Sequence, residues 1–227
     1  PSNTVYKAYR LIKEYCRIPH HFEIELIKKI PHGGGLGGGS SDAAGLLLAL
    51  NSLLDLRLKK DELINLAVQI GMDVPFFIEP YPSIGAERGE LLYPIEILKF
   101  DYDIVLAINT LSISTAEIYG KYKFSLTKSD FCINLEALLK AEKRIIDAEN
   151  LLEAMENDLE GIVFQEYPEL KRIKEQFQRH GAIKSLMSGS GATVFGVFDK
   201  GKVNLEKLNN LFKREKGIRL IVCQPYH

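Results

Sequence analysis

The sequence predicts an α+β protein built of two packed layers. Three observations point there: helical and strand-like periodicities alternate along the chain, the strands recur at no fixed interval, and no segment repeats. Residues 3–15 carry apolar or aromatic side chains at Val5, Tyr6, Tyr9, Leu11, Ile12 and Tyr15, which predicts a helix. Residues 22–27 alternate in character, which predicts a half-buried strand. A glycine-rich break from Pro31 to Ser41 follows, then a helix over Asp42–Leu54 and another over Asp61–Ile70 that Gly71 terminates. A short apolar strand is expected over Asp103–Ile108, preceded by a polar bend where a domain boundary is placed. The Leu-, Ala-, Glu- and Lys-rich stretch from Asn134 to about Glu160 predicts one long helical region. Tyr167–His180 reads as a helix closed by Gly181, Ile183–Met187 and Thr193–Phe198 as strands around a Ser-Gly turn. Leu205–Lys213 then reads as a helix and Ile218–Cys223 as a terminal strand.

Bulk properties remove several functional classes. With 29 basic against 30 acidic residues, and no basic run, the chain lacks the positive footprint of a nucleic-acid binder. Its longest apolar stretch, Ala43 to Leu54, contains Asn51 and Ser52 and falls short of a membrane span. The start Pro1-Ser2-Asn3-Thr4 has neither a basic end nor an apolar segment, so no signal peptide is expected. Cys16, Cys132 and Cys223 are widely spaced and odd in number, a pattern of neither a metal site nor a disulfide framework. A cytoplasmic protein without nucleic-acid or membrane partners is expected, with no protein-ligated metal.

The most informative stretch is Pro31-His32-Gly33-Gly34-Gly35-Leu36-Gly37-Gly38-Gly39-Ser40-Ser41. So many glycines raise the entropic cost of folding, but they let the backbone approach a ligand closely and turn successive N–H groups toward an anion. A helix follows at once, so its free N–H groups and positive dipole end reach the same ligand. Ser40 and Ser41 supply hydroxyls for capping, phosphate or a metal ion. The combination suits a polyphosphate; a flexible Gly/Ser linker is the alternative, opposed by the flanking elements and by Leu36. A P-loop is excluded because no Gly-Lys-Ser/Thr follows. Further on, Asp73 stands as a lone acid in Gly71-Met72-Asp73-Val74-Pro75-Phe76-Phe77, where it can take a proton from a substrate or bond the turn backbone.

The glycine loop resembles the nucleotide loop of the GHMP kinases. Its extra glycines, the Asp-Ala-Ala after it, and the Gly-x-Asp-Val-Pro-Phe-Phe segment are similar to the 4-diphosphocytidyl-2-C-methyl-D-erythritol kinases among them. Met187-Ser188-Gly189-Ser190-Gly191-Ala192-Thr193 resembles the third GHMP motif, a support beside the phosphate loop. Weaker matches are Asn3-Thr4-Val5 with the segment beside adenine, Gly85 to Glu90 with Pro94, and Ser114 to Tyr119. The resemblance implies a two-domain GHMP kinase architecture of two-layer α/β sandwiches with mixed or antiparallel sheets. Residues 1–100 would form the ATP-binding domain and residues 101–227 the C-terminal domain.

The resemblance implies ATP and Mg²⁺ as cofactors, held by the loop residues with Asn3 and Lys28 near the adenine. It makes Asp73 the base that takes the proton of the accepting hydroxyl, and Tyr119 a stacking partner for cytosine. The small-molecule substrate is then cytidine diphosphate methylerythritol, phosphorylated on its 2-hydroxyl in the non-mevalonate route to isoprenoids. Alternatives are another GHMP kinase, acting on a sugar, homoserine or a mevalonate-type alcohol, or a nucleotide-binding pseudokinase. The opening strand with Ala-Lys-x-Asn that the family carries is missing, so a parent chain extending before Pro1 is expected, and no measurable kinase activity from residues 1–227 without it.

Overall fold

A computed structural model describes residues 3–30, 33–87, 89–122, 135–213 and 217–224. The chain divides into two compact units. One comprises Pro1–Lys29, Gly37–Glu96 and Ala141–Arg144, the other Ile30–Leu36, Ile97–Lys140 and Ile145–His227.

The first unit is built on three helices, α1 (Thr4–Tyr15), α2 (Gly38–Leu53) and α3 (Lys60–Ile70). Helix α1 forms because Val5, Ala8 and Ile12 recur on one face, and all three are buried. They meet Ala43, Ala44, Leu47 and Leu50 of α2 and Leu63, Leu66, Ala67 and Ile70 of α3 in one core. Each large aliphatic side chain so buried stabilises the fold by about 1.5–3 kcal/mol. A 3-10 turn over Pro75–Ile78 adds Val74 and Ile78 to that core. An antiparallel hairpin follows, β1 (Ser83–Ala86) with β2 (Leu91–Pro94).

In the second unit, four antiparallel strands run in the order β6-β7-β4-β8: β4 is Tyr102–Asn109, β6 Lys184–Met187, β7 Val194–Asp199 and β8 Ile218–Cys223. Central β4 pairs Ile104 with Val197 on one side and with Cys223 on the other. The sheet packs on α8 (Pro168–Arg179), whose Leu170, Ile173 and Phe177 are fully buried, and on α9 (Leu205–Phe212) through Leu208 and Phe212. Gly181, at φ +92°, ends α8 as the sequence suggests, and the next amide, Ala182, bonds back to Phe177. Shorter elements complete the unit: α4 (Thr115–Lys121), α5 (Leu135–Lys140), α6 (Ala148–Ala154), α7 (Glu160–Glu166), and a pair made by β3 (Glu96–Leu98) and β5 (Ile145–Asp147).

Three sequence expectations need correction. Residues 22–27 form no strand and join no sheet among the described residues. Phe22 packs edge-on to Tyr9, 6.4 Å between centroids, whereas Ile24, Leu26 and Ile27 are exposed; alternation alone supplies no hydrogen-bonded neighbour. Helix α2 starts at Gly38, four residues before the expected Asp42, because Gly37 at φ +63° turns the chain directly into it. The stretch expected as one long helix breaks into α5, β5, α6 and α7, with Asp147 as the N-cap residue of α6. No helix among the described residues is long and apolar enough to cross a membrane.

Candidate active site

The early start of α2 changes what its first turn offers. The Ser41 amide bonds Gly37 O at 2.8 Å, so the amides of Gly38, Gly39 and Ser40 lack an acceptor within the helix. No side chain caps it, since the N-cap is Gly37. Ser40 and Ser41 therefore sit inside the first turn rather than capping it, and the Ser41 hydroxyl donates to Gly38 O at 3.1 Å. The result is an uncapped, positively polarised helix end, a ready site for an anion.

Neighbouring residues fix that end. Lys28 donates to Gly38 O at 3.1 Å and forms an ion pair with Asp42, adding a cation beside the first turn. The Thr4 hydroxyl donates to Gly39 O at 2.9 Å, which ties the start of α1 to the start of α2. Asn3 uses its side-chain oxygen as the N-cap of α1, accepting from Val5 N at 2.8 Å. Gly37 has no room for a side chain: a Cβ there would lie 2.6 Å from the Phe77 ring. That contact brings the Gly71–Phe77 segment to the helix end.

Asp73 lies in the turn that leads into Pro75–Ile78. Val74 and Pro75 are buried under it, while Asp73 itself is exposed, so its carboxylate faces outward and not into an apolar pocket. A Cβ added to Gly89, in the β1–β2 turn at φ +106°, would sit 4.0 Å from Asp73 Oδ1. The hairpin thus carries its glycine to the edge of the acid.

In the second unit, Gly33–Gly35 lie on the Ser188–Gly191 turn between β6 and β7. The Ser188 hydroxyl donates to Gly35 O at 2.7 Å, Ala192 N to Gly33 O at 3.3 Å, and Thr193 N to Gly34 O at 3.2 Å. Gly35 takes φ +71°, and a Cβ on it would fall 2.1 Å from Ser188 O and 2.8 Å from Gly191 O. Both neighbours are backbone atoms, so only glycine fits. The supporting role expected of the third glycine motif is what the contacts display. Ser190 and Thr115 share a hydrogen bond of 2.8 Å, which links the turn to the start of α4. On that helix Ile118 is buried and Tyr119 exposed, so Tyr119 is a surface ring and not a core tyrosine.

Pro31 and His32 of the expected loop lie outside the described residues. Among the described residues no group of three or more His, Cys, Asp or Glu side chains is placed to hold a metal ion. Two contributors escape the sequence reading. The Asn157 side chain donates to Met187 O and Gly189 O, and the Glu160 carboxylate accepts from Met187 N. The only sequence signal for either is Asn-x-x-Glu, the pattern of a helix N-terminus, which locates a helix start but not its tertiary partner.

Known proteins match this arrangement at three levels. The family profile described as GHMP kinases N terminal domain matches residues 3–79, and that described as GHMP kinases C terminal matches residues 134–211. A 4-diphosphocytidyl-2-C-methyl-D-erythritol kinase of Azobacteroides pseudotrichonymphae genomovar. CFP2 is 37% identical over 201 residues, spanning 88% of this chain and 71% of the relative. A crystal structure of 4-(cytidine 5'-diphospho)-2C-methyl-D-erythritol kinase superposes with a TM-score of 0.75 at 32% identity, covering 97% of this chain and 76% of that one. A homoserine kinase from Cytophaga hutchinsonii superposes equally well, with a TM-score of 0.77 over 98% of this chain and 76% of that one. It is only 17% identical, so that likeness speaks for the fold alone.

Proposed function

The chain belongs to the GHMP kinases, in the branch of the 4-diphosphocytidyl-2-C-methyl-D-erythritol kinases, and we propose that it transfers the γ-phosphoryl group of ATP to the 2-hydroxyl of 4-diphosphocytidyl-2-C-methyl-D-erythritol. That step belongs to the non-mevalonate route to isoprenoid precursors. The observation that carries the reading is the glycine cradle. In the first unit left-handed Gly37, at φ +63°, leads into a helix end with free amides, and in the second Gly33 and Gly35 take φ +74° and +71°. A backbone so arranged fits a polyphosphate, because N–H groups and the helix dipole meet its negative charge with no side chain in the way.

In this mechanism residues 1–100 form the nucleotide-binding domain and residues 101–227 the C-terminal domain. Gly33 to Ser41 hold the phosphates, and Asn3 and Lys28 border the adenine. Mg²⁺ bound with the phosphates would supply neutralisation of the charge that develops during transfer, and Ser40 would offer it a first-turn hydroxyl. Asp73 accepts the proton of the substrate hydroxyl. The freed oxygen bonds the γ-phosphorus as its bond to the β-phosphate oxygen breaks, and ADP leaves. The outward-facing carboxylate of Asp73 supports this role, since a base must be reachable by its substrate. Tyr119, an exposed ring, stacks on the cytosine. Catalysis of this kind is mostly positioning and electrostatics.

The shared fold does not choose the alcohol, because homoserine kinase has it too; identity to the cytidyl-substrate relatives supports the choice. The test is ADP release by the protein expressed from its complete gene, offered the cytidyl substrate, homoserine or mevalonate. Turnover is expected with the first alone, and Asp73→Asn is expected to lower kcat by roughly 10²–10⁴-fold while substrate and ATP affinities persist. Preference for homoserine or mevalonate overturns the substrate assignment. Activity of Asp73→Asn within a few-fold of wild type makes Asp73 a turn residue.

A further inference from the structure

The Ser188–Gly191 turn carries the glycine loop, so whatever fixes the turn also fixes the loop. Its own backbone bonds are few: Ser188 N to Thr193 O at 2.9 Å and Gly191 N to Ser188 O at 3.0 Å. The carbonyls of Met187 and Gly189, one residue before and one after Ser188, take no part in these two bonds. Both are taken by one side chain, the Asn157 amide, which donates to Met187 O at 2.7 Å and to Gly189 O at 2.8 Å. An amide NH₂ has two donors at a fixed angle, so bonding both carbonyls sets the direction of the Met187–Ser188 and Gly189–Ser190 peptide units, with Ser188 held between those two fixed points. Ser188 is in turn the residue whose hydroxyl holds Gly35 O.

Asn157 is itself held rigidly. Its side-chain oxygen accepts from Leu159 N at 3.0 Å, and its carbonyl accepts from Glu160 N at 3.1 Å, which anchors it to the first turn of α7. Glu160 supplies a second brace. One carboxylate oxygen accepts from Met187 N at 2.7 Å, and the other is paired with Lys174 of α8. Lys174 lies over the Phe164 ring as well, 5.9 Å from its centroid. Side-chain exposures of 13% for Glu160 and 22% for Lys174 leave this pair largely shielded from water, so its geometry is firm.

The geometry points to Asn157 as a positioning residue for nucleotide binding, acting through Ser188 on Gly35, with the Glu160–Lys174 pair as its backing. It touches no reactant. The inference rests on the phosphate-binding reading of the glycine loop. It extends that reading to a residue more than 120 positions away in sequence, reached by the chain Asn157–Gly189/Met187–Ser188–Gly35.

The alternative is that Asn157 only stabilises the fold, and affinity separates the two. Asn157→Ala is compared with wild type by calorimetry with a non-hydrolysable ATP analogue, well below the Tm of either, alongside steady-state kinetics. Loss of both donors frees the turn, and the analogue is expected to bind about tenfold more weakly, from a loss of one to two hydrogen bonds' worth of order. The KM for ATP should rise by the same factor while kcat changes less than threefold. A lowered Tm with unchanged analogue affinity makes Asn157 purely structural and overturns the inference. Wild type that fails to bind the analogue overturns the phosphate-loop reading and this inference with it. Should Asn157→Ala not fold, amide hydrogen exchange on wild type decides. The analogue must then slow exchange over residues 187–193 as well as over 33–36, and protection confined to the loop refutes the coupling.

Discussion

Gly35→Ala tests the site by a single methyl group. The added Cβ would lie 2.1 Å from Ser188 O and 2.8 Å from Gly191 O, where ordinary contact begins near 3.4 Å. Neither oxygen belongs to a flexible side chain, so the loop must lift by about 1 Å from the turn. Lifting breaks the Ser188 hydroxyl bond to Gly35 O, worth about 1 kcal/mol. Holding alanine at φ +71° costs about 1–2 kcal/mol more. The loss is therefore roughly 2–3 kcal/mol, a fall in Tm of about 5–10 °C for a chain of this size. A displacement of about 1 Å at a phosphate cradle is expected to lower kcat/KM for ATP by about 10²-fold. Thermal unfolding and ADP release measure the two effects separately. If kcat/KM stays within threefold of wild type, the cradle does not act through the Gly35–Ser188 contact and the reasoning fails.

Two further outcomes follow from the structure. Gly45 lies inside α2, exposed and with nothing within 4 Å of an added Cβ, so Gly45→Ala should stabilise by about 0.5–1 kcal/mol without changing ATP kinetics; a fall in Tm would contradict that open surface. The Glu62 carboxyl is held below its ordinary range, first by the Lys59 amide it accepts from and then by the Tyr15 hydroxyl. A depressed carboxyl contributes stability above its unfolded value, near about 4.3, and that contribution is lost as pH falls through the folded value. The Tm gap between wild type and Glu62→Gln should accordingly close in acid, and a gap independent of pH refutes the assignment.

The helices and the second unit's sheet were largely legible because their signals are local. Residues 218–223 form the expected strand, and α1 forms where expected, with Val5 and Ile12 of the apolar positions read there buried and Tyr6 and Tyr15 exposed. The glycine loop stood out in the sequence because a backbone that approaches a ligand closely needs glycine whatever the surrounding fold. What could not be read depended on partners distant in sequence. Phe22 to Ile27 has the period of a strand, but a strand needs a neighbour and the described residues offer none. Asn157 and Glu160 bond atoms some 27 to 32 residues away, and no spacing rule announces such a contact. Helix propensity also misplaced the start of α2, since Gly38 and Gly39 are poor helix formers that tertiary contacts from Thr4 and Lys28 hold in place.

Those two glycines raise the question of which glycines the fold needs and which only a ligand could require. Gly37 needs its identity for folding, being left-handed and pressed against Phe77. Gly39 does not. It is exposed within the first turn of α2, it has no left-handed φ, and an added Cβ would meet only Thr4 Oγ1 at 3.4 Å, an ordinary contact. On folding grounds Gly39→Ala should therefore be favourable by about 0.5–1 kcal/mol, raising Tm by about 1–4 °C. An anion bound at the free amides meets the methyl at close range, so ATP affinity should fall even as the protein becomes more stable. Stability and affinity moving in opposite directions cannot arise from damage to the fold, which would lower both. Calorimetry and thermal unfolding on the same preparation decide it. A more stable Gly39→Ala variant with unchanged ATP affinity would mean that the phosphates do not reach the first turn of α2.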